Sequence, residues 1–301
     1  MLSPPHRTPD VVGLLERSTA TANLGVVEGA GRSPSGDLVF CDLVEEAATE
    51  VLDALRELGL AREGAVSIHP LSAVLSVADL EAARTTPGGA ADAIVWQAVD
   101  EEIIRQAEPS VEFHMLLVIA TLIGSIGLLT DSLVLIVGAM IVGPEYHALA
   151  AISWGIVRRR WQTARHAAFA LVLGFPLAIA STACITGLAR ALDLLPTGVD
   201  PSARVLTTFV TEPNRTSVWV ALLAGAAGML AILAGGSGTL LGVLVSVTTV
   251  PAAAAVGLGI AYGDTDQITG AALQLAVNLV CIVLAGITVL VIARALERRR
   301  R

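Results

Sequence analysis

The spacing of apolar and polar positions changes twice along this chain. Residues 1 to about 90 come in short, mixed pieces. "PDVVGLLERS" (9–18) places its apolar residues at helical spacing, while "ANLGVVEG" (22–29) and "GDLVFCDLV" (36–44) read as strands on either side of the turn-rich "AGRSPS". "EEAATEVLDALRELGL" (45–60) is a strongly amphipathic helix, and "GAVSIHPL" (64–71) is a further strand. The order is α-β-β-α-β. A ferredoxin-like α+β domain runs β-α-β-β-α-β, so its first strand must lie, short or missing, in "MLSPP".

After the loop "TTPGGAADA", a charged helix, "AIVWQAVDEEIIRQAEPS", leads into six apolar stretches at 111–129, 132–157, 164–190, 216–235, 239–261 and 268–293. Each matches the roughly 20 residues that a bilayer requires. The predicted organisation is therefore a ferredoxin-like domain at 1–90, a linker helix at 91–110 and a six-span transmembrane domain at 111–301.

Composition agrees with this division. The 301 residues are 54% hydrophobic, with a mean hydropathy of +0.73, too apolar for an ordinary soluble domain. Residues 1–110 carry 18 acidic residues and 7 arginines, a net of −11, whereas residues 111–301 carry 9 and 12, a net of +3. Arginine also orients the spans. "RRRWQTAR" (158–165) joins the second span to the third and "RALERRRR" (294–301) follows the sixth, so the positive-inside rule makes that side, with both termini and the acidic domain, cytoplasmic. The first residues lack an apolar signal core, which leaves insertion to the internal spans. Cys41, Cys184 and Cys281 are widely separated and form no CxxC pair; they are expected to be small buried hydrophobes.

The spans repeat a plan. "VIATLIGSIGLLTDSLVLIVGAMIVGPEYHALAA" and "VALLAGAAGMLAILAGGSGTLLGVLVSVTTVPAAAAVG" each give a span rich in small residues, a short turn, and a span interrupted by proline. Three spans per copy is odd, so the copies would cross the membrane in opposite senses as inverted repeats. Pro144 falls thirteenth in its span, roughly 18 Å from the outer end, and Pro251 is also thirteenth in the fifth span, so both lie near mid-membrane. Proline deletes a donor and frees the carbonyl four residues earlier, which hydrocarbon cannot satisfy.

Beside the first break, "GPEYH" (143–147) sets Glu145. A carboxylate at that depth costs at least a few kcal/mol and requires a partner or a pathway. As the first residue of a half-helix it also gains a few tenths up to about 1 kcal/mol from the helix dipole. Its alternative is a protonated, hydrogen-bonded structural group. The candidate site is Gly143, Pro144, Glu145 and His147 from the second span, Thr248, Thr249 and Pro251 from the fifth, and Gln274 and Asn278 from the sixth. Gln274 and Asn278 are four apart and share a helix face, either capping freed carbonyls or lining a polar path. His147 stands about 200° round the helix from Glu145, so the two do not chelate one metal, and no HExxH spacing occurs. Ser125, Ser181 and Ser246, and the small residues Ala224 and Gly228, read as helix-packing groups.

With "ATLIGSIGLLTDS" followed by "LVLIVGAMIVGPE", the chain resembles the bacterial family called domain of unknown function 389, an uncharacterised hydrophobic domain. "DLVFCDLVEEAATEVLDALRELGL" is similar to that family's cytoplasmic domain and "RRRW" to its basic loop, while "MLSPP" is shorter than the strand with which related chains begin. The resemblance implies a multi-pass membrane protein and supplies no reaction.

The functional expectation is a bacterial inner-membrane transporter or channel for a small solute or ion, acting as a homo-oligomer in the lipid bilayer, without cofactor or nucleic acid. The competing expectation is a membrane-anchored sensor or scaffold whose cytoplasmic domain binds a ligand or partner, regulatory by fold analogy alone. No nucleophile, base or metal constellation points to an enzyme.

Overall fold

The computed structural model describes residues 1–69, 109–195, 215–234 and 248–300, with the isolated positions Ser76, Ala78, Ala82, Trp96, Val99, Asp100, Ile103 and Val210. The chain forms two compact units, Met1–Glu101 and Glu102–Arg301.

The first unit holds β1 (Leu2–Ser3), α1 (Thr8–Arg17), β2 (Thr21–Arg32), β3 (Ser35–Leu43), α2 (Glu45–Glu57) and the one-turn α3 (Leu60–Glu63). The strands lie in the order β1-β3-β2 with both pairings antiparallel, Leu2 opposite Leu38 and Thr21 opposite Leu43. The first strand is thus present within "MLSPP", two residues long, and β3 lies between β1 and β2, which α1 connects. The strand expected at 64–71 is reduced, over its described residues, to one antiparallel bridge from Ala65 to Leu2; residues 70 and 71 lie outside the described ones. The hairpin is tighter than "AGRSPS" suggested, because β2 and β3 reach Arg32 and Ser35 and leave only Ser33 and Pro34 to turn. Gly59, at φ 77°, separates α2 from α3 and so ends the helix expected at 45–60.

Side chains alternate along β3, with Val39 buried between exposed Leu38 and Phe40. Val39 packs with Val11 and Leu15 of α1, Val51, Leu52 and Leu55 of α2, and Leu60. Asp37, buried on the same face, accepts a hydrogen bond from Thr8 Oγ1 at 2.6 Å and one from the Gly29 N–H at 2.8 Å. Gly29 meets it at a positive φ of 62°.

The second unit is helical: α4 (Val111–Leu129), α5 (Leu133–Val142), α6 (Glu145–Val157), α7 (Trp161–Ala191), α8 (Arg215–Leu233), α9 (Thr249–Tyr262) and α10 (Thr265–Arg300). Caps set several boundaries. Ser110 Oγ accepts from the Phe113 N–H at 3.0 Å, Ser132 Oγ from Leu135 at 3.5 Å, and Asp264 Oδ1 from Gln267 at 3.0 Å. Four helices, α4, α7, α8 and α10, are long and apolar enough to cross a membrane, and α5 with α6, bent by 48°, makes a fifth if the pair is one span. Of the stretch expected at 239–261, only α9 is described; residues 239–247, Ser246 among them, lie outside, as do most of the linker helix 91–110 and of the 191–215 connection.

Small residues let these helices close. Alanine in place of Gly225 would put its β-carbon 2.8 Å from the Ile282 backbone, and in place of Gly155 it would lie 2.8 Å from Ala164. Ser125 bonds back to the Leu122 carbonyl of its own helix, as a packing group does. The expectation of three buried cysteines does not hold: Cys184 is exposed on α7, and Cys41 and Cys281 are half-buried. A thiol is apolar enough to stand on the outer surface of an apolar helix.

The two bonds to Asp37 carry a consequence for pH. The Thr8 hydroxyl first, and then the Gly29 N–H, hold its carboxyl below the ordinary aspartate value. A folded-state value below the unfolded one adds stability above the unfolded value and loses it as pH falls through the folded one. Hydrogen-exchange protection over residues 21–43 of the intact protein, corrected for intrinsic rate, is therefore expected to drop below about pH 4. In Asp37→Asn the protection is lower at neutral pH and lacks that acid component.

Candidate functional site

The site begins where α5 stops. Pro144 has no N–H, so the Met140 carbonyl loses its usual donor. Gly143 closes the helix by bonding back to Ala139 at 3.1 Å, turns extended at φ −66° and ψ 127°, and Pro144 becomes the N-cap of α6. Glu145 is the first residue of the new helix and is 1% exposed. Its Oε2 occupies the space where a β-carbon at position 143 would stand, so Gly143 makes room for the carboxyl. Oε1 accepts a hydrogen bond from Thr249 Oγ1 at 2.6 Å. Oε2 has no partner among the described residues.

Thr249 is likewise the first residue of its helix, with Thr248 as N-cap. Pro251 therefore lies in the first turn of α9, where a missing N–H leaves nothing unpaired. The helical part of the fifth stretch starts two residues before that proline. Asn278 Nδ2 donates to Thr248 Oγ1 at 2.7 Å, and Gln274 Nε2 donates to Asn278 Oδ1 at 3.3 Å. The two amides share a buried face, as their spacing required, but they bond to each other and to Thr248. It is Gln267 that reaches a carbonyl of α9, Ala255 O at 2.7 Å.

Contacts along α10 fix the directions of the two half-helices. Gln267 meets Ala255 and Asn278 meets Thr248, so α9 runs antiparallel to α10. Further along, the Val283 carbonyl accepts from Ser153 Oγ at 3.2 Å, and Arg294 Nη1 donates to Val157 O at 3.1 Å, so α6 runs parallel to α10. The half-helices thus leave their junction in opposite directions. That junction adjoins Asn278, the fourteenth residue of the apolar stretch Thr265–Leu296, roughly 20 Å from its start at about 1.5 Å per residue. Arg190, at the end of α7, donates to the Ala261 carbonyl at the far end of α9 and stacks over the Tyr262 ring at 4.1 Å. The C-termini of α6 and α9 each carry an arginine, as their dipoles favour.

Tyr146 anchors α6 to α8. Its hydroxyl donates to the Gly225 carbonyl at 3.1 Å, and its ring lies directly on Gly228. His147 is half-buried, and its ring meets that of Tyr146 edge-on at 6.5 Å between centroids. It is not brought to the Glu145–Thr249 pair. Tyr146, Gln267, Arg190 and Arg294 were not among the candidates from sequence; a terminal arginine reads as topology, and its carbonyl partner lies in another helix. Among the described residues, no cluster of three His, Cys, Asp or Glu side chains is placed to hold a metal.

An apolar helical unit of this helix length, with a small sheet-bearing unit before it, is the make-up of a membrane protein. Residues 140–284 match the DUF389 family, described as a domain of unknown function. The matched stretch takes in Glu145, Thr248, Thr249, Gln274 and Asn278, and residues 1–139 lie outside it. Neither a curated protein nor a solved structure matches the chain.

Thr249→Val keeps the shape of the side chain and removes the donor to Glu145. Its cost is expected at about 1–3 kcal/mol, read as a lowered thermal midpoint of the intact protein in detergent, with Thr249→Ser restoring most of it. Gly228→Val is expected to lower the midpoint too, by overpacking worth about 1–3 kcal/mol against the Tyr146 ring.

Proposed function

We propose that this protein is a transporter or channel for a small solute or ion in a bacterial inner membrane, with its polar site where the broken second and fifth spans meet. The observation that carries this reading is a carboxylate 1% exposed, bonded across the junction of two half-helices, beside the middle of a helix long enough to span a bilayer. Irregular backbone at that depth belongs where it faces protein or a wet cavity. Glu145 is the charged group of the site, and Thr248, Thr249, Gln274 and Asn278 are its neutral partners.

The arrangement is six spans in two inverted three-helix repeats. In support, each half-helix packs against the third long helix of the other half, and each has its last carbonyls held from there: α6 by Arg294 of α10, α9 by Arg190 of α7. The first unit is a cytoplasmic ferredoxin-like domain with a regulatory role, supported by its strand order and by the Leu2–Ala65 bridge on the outer edge of β1. The arginines of 158–165 and 294–301 put both termini in the cytoplasm.

A membrane-anchored sensor or scaffold is favoured by one feature, the apolar Val27, Leu38 and Phe40 exposed together on one face of the β2–β3 pair. A ligand screen against the intact protein and residues 1–108 separates the readings: binding to the N-terminal part without solute flux favours the sensor.

In proteoliposomes, a panel of labelled ions and small solutes is expected to include at least one that enters faster than into empty vesicles. Glu145→Gln is expected to change that rate by at least about tenfold, the equivalent of 1.4 kcal/mol at the site. A variant that behaves like the parent toward every member of the panel removes Glu145 from the mechanism.

A further inference from the structure

The junction constrains its occupant by charge as well as by position. A helix carries roughly half a positive charge at its N-terminus. The α6 and α9 helices begin at Glu145 and Thr249, which are bonded side chain to side chain at 2.6 Å. Their opposite directions turn both positive ends on one point, so together they amount to roughly one positive charge at a buried place. One carboxylate is the matching charge. The far ends carry the complement, Arg294 on Val157 and Arg190 on Ala261.

No second anion is placed at the junction among the described residues. On the surrounding elements the charged groups and histidines stand near the ends: Glu112 and His114 open α4, Arg165 and His166 open α7, and Arg215 opens α8, while two thiols lie within helices, Cys184 exposed on α7 and Cys281 half-buried on α10. Tyr262 closes α9, Asp264 and Asp266 flank the start of α10, and α5 has none. On α6 itself, the Tyr146 hydroxyl is engaged by Gly225 and the His147 ring stands against Tyr146.

Among the described side chains, Glu145 is held through one oxygen. Oε1 is bonded to Thr249, while Oε2, unpartnered among the described residues, lies in the space left at Gly143. Oε2 is therefore the oxygen open to a proton. A proton taken there from solution removes the one negative charge at the junction and leaves the two helix ends facing each other uncompensated. In apolar surroundings that is a vacancy for an anion and a barrier to a cation.

We propose that the α6–α9 junction is an anion-binding site in which the Glu145 carboxylate is the resident anion, and that the transported solute is a small monovalent inorganic anion, of the size and charge of chloride or nitrate. The external anion takes the junction when the carboxylate is protonated, which couples anion entry to proton uptake. This rests on the transport reading and gives its substrate class.

The test is uptake of labelled chloride, and separately of potassium, by the intact protein in proteoliposomes. Wild-type chloride uptake is expected to be faster at pH 5 than at pH 7.5. Glu145→Gln is expected to take up chloride at both, at pH 7.5 at least about tenfold faster than wild type, the factor carried by one pH unit of protonation. Neither is expected to pass potassium. If Glu145→Gln passes potassium and excludes chloride, the anion assignment is wrong while transport stands. If neither protein moves any solute of the wider panel, the transport reading fails first. A second measurement holds even if the variant does not fold: the thermal midpoint of wild type in chloride against gluconate. Stabilisation by chloride at pH 5 and its absence at pH 7.5 support the proposal; equal stabilisation at both places chloride elsewhere and overturns it.

Discussion

The second unit turns on one constraint: a carboxylate removed from water must be compensated by whatever surrounds it. Among the described residues no arginine is bonded to it; Arg190 and Arg294 hold carbonyls at the distant ends of α9 and α6. Compensation falls to the starts of two half-helices and to one threonine hydroxyl. Such an arrangement needs both helices to begin at the same place and to run apart, which is met by the break at Gly143–Pro144 and the start of α9 at Thr249. The glycine is required twice, once for the turn and once because the carboxyl occupies the volume of its missing side chain.

From that point the packing follows. α10 serves as the common rail, binding α9 through Gln267 and Asn278 and α6 through Ser153 and Arg294. α8 is brought against α6 by Tyr146, whose ring has space only because position 228 is glycine. Of the small residues that read as generic helix-packing positions, Gly228 thus has an assigned partner in Tyr146, and its neighbour Gly225 meets Ile282.

Much of this was legible in the sequence, and the limits have physical causes. Length and apolarity located α4, α7, α8 and α10 within a few residues, since membrane-length helices carry a strong signal. "GPE" marked the break and its carboxylate, because proline, glycine and a buried acid are each anomalous in an apolar run. Spacing put Gln274 and Asn278 on one face. Pairing across helices was not legible: nothing in the chain says that Thr249 bonds Glu145 while Thr248 bonds Asn278, since adjacent residues point different ways once the helix begins between them. His147, prominent by its neighbours, stands apart from the pair for the same reason. In the first unit, alternation gave β2 and β3 but misjudged their ends, because the two-residue turn at Ser33–Pro34 is shorter than the run of turn-forming residues around it. Cys184 was misplaced because an apolar run does not say which side of a helix meets lipid.

The central claim is that the Glu145 carboxyl, midway along the spanning helices, faces something wetter than acyl chains. A density map of the intact protein in a lipid disc tests it most directly. The account predicts ordered water, or another polar occupant, reaching Oε2 from one face of the bilayer at mid-depth. A carboxyl enclosed in dry packing, or lying at the level of the lipid headgroups, would contradict it.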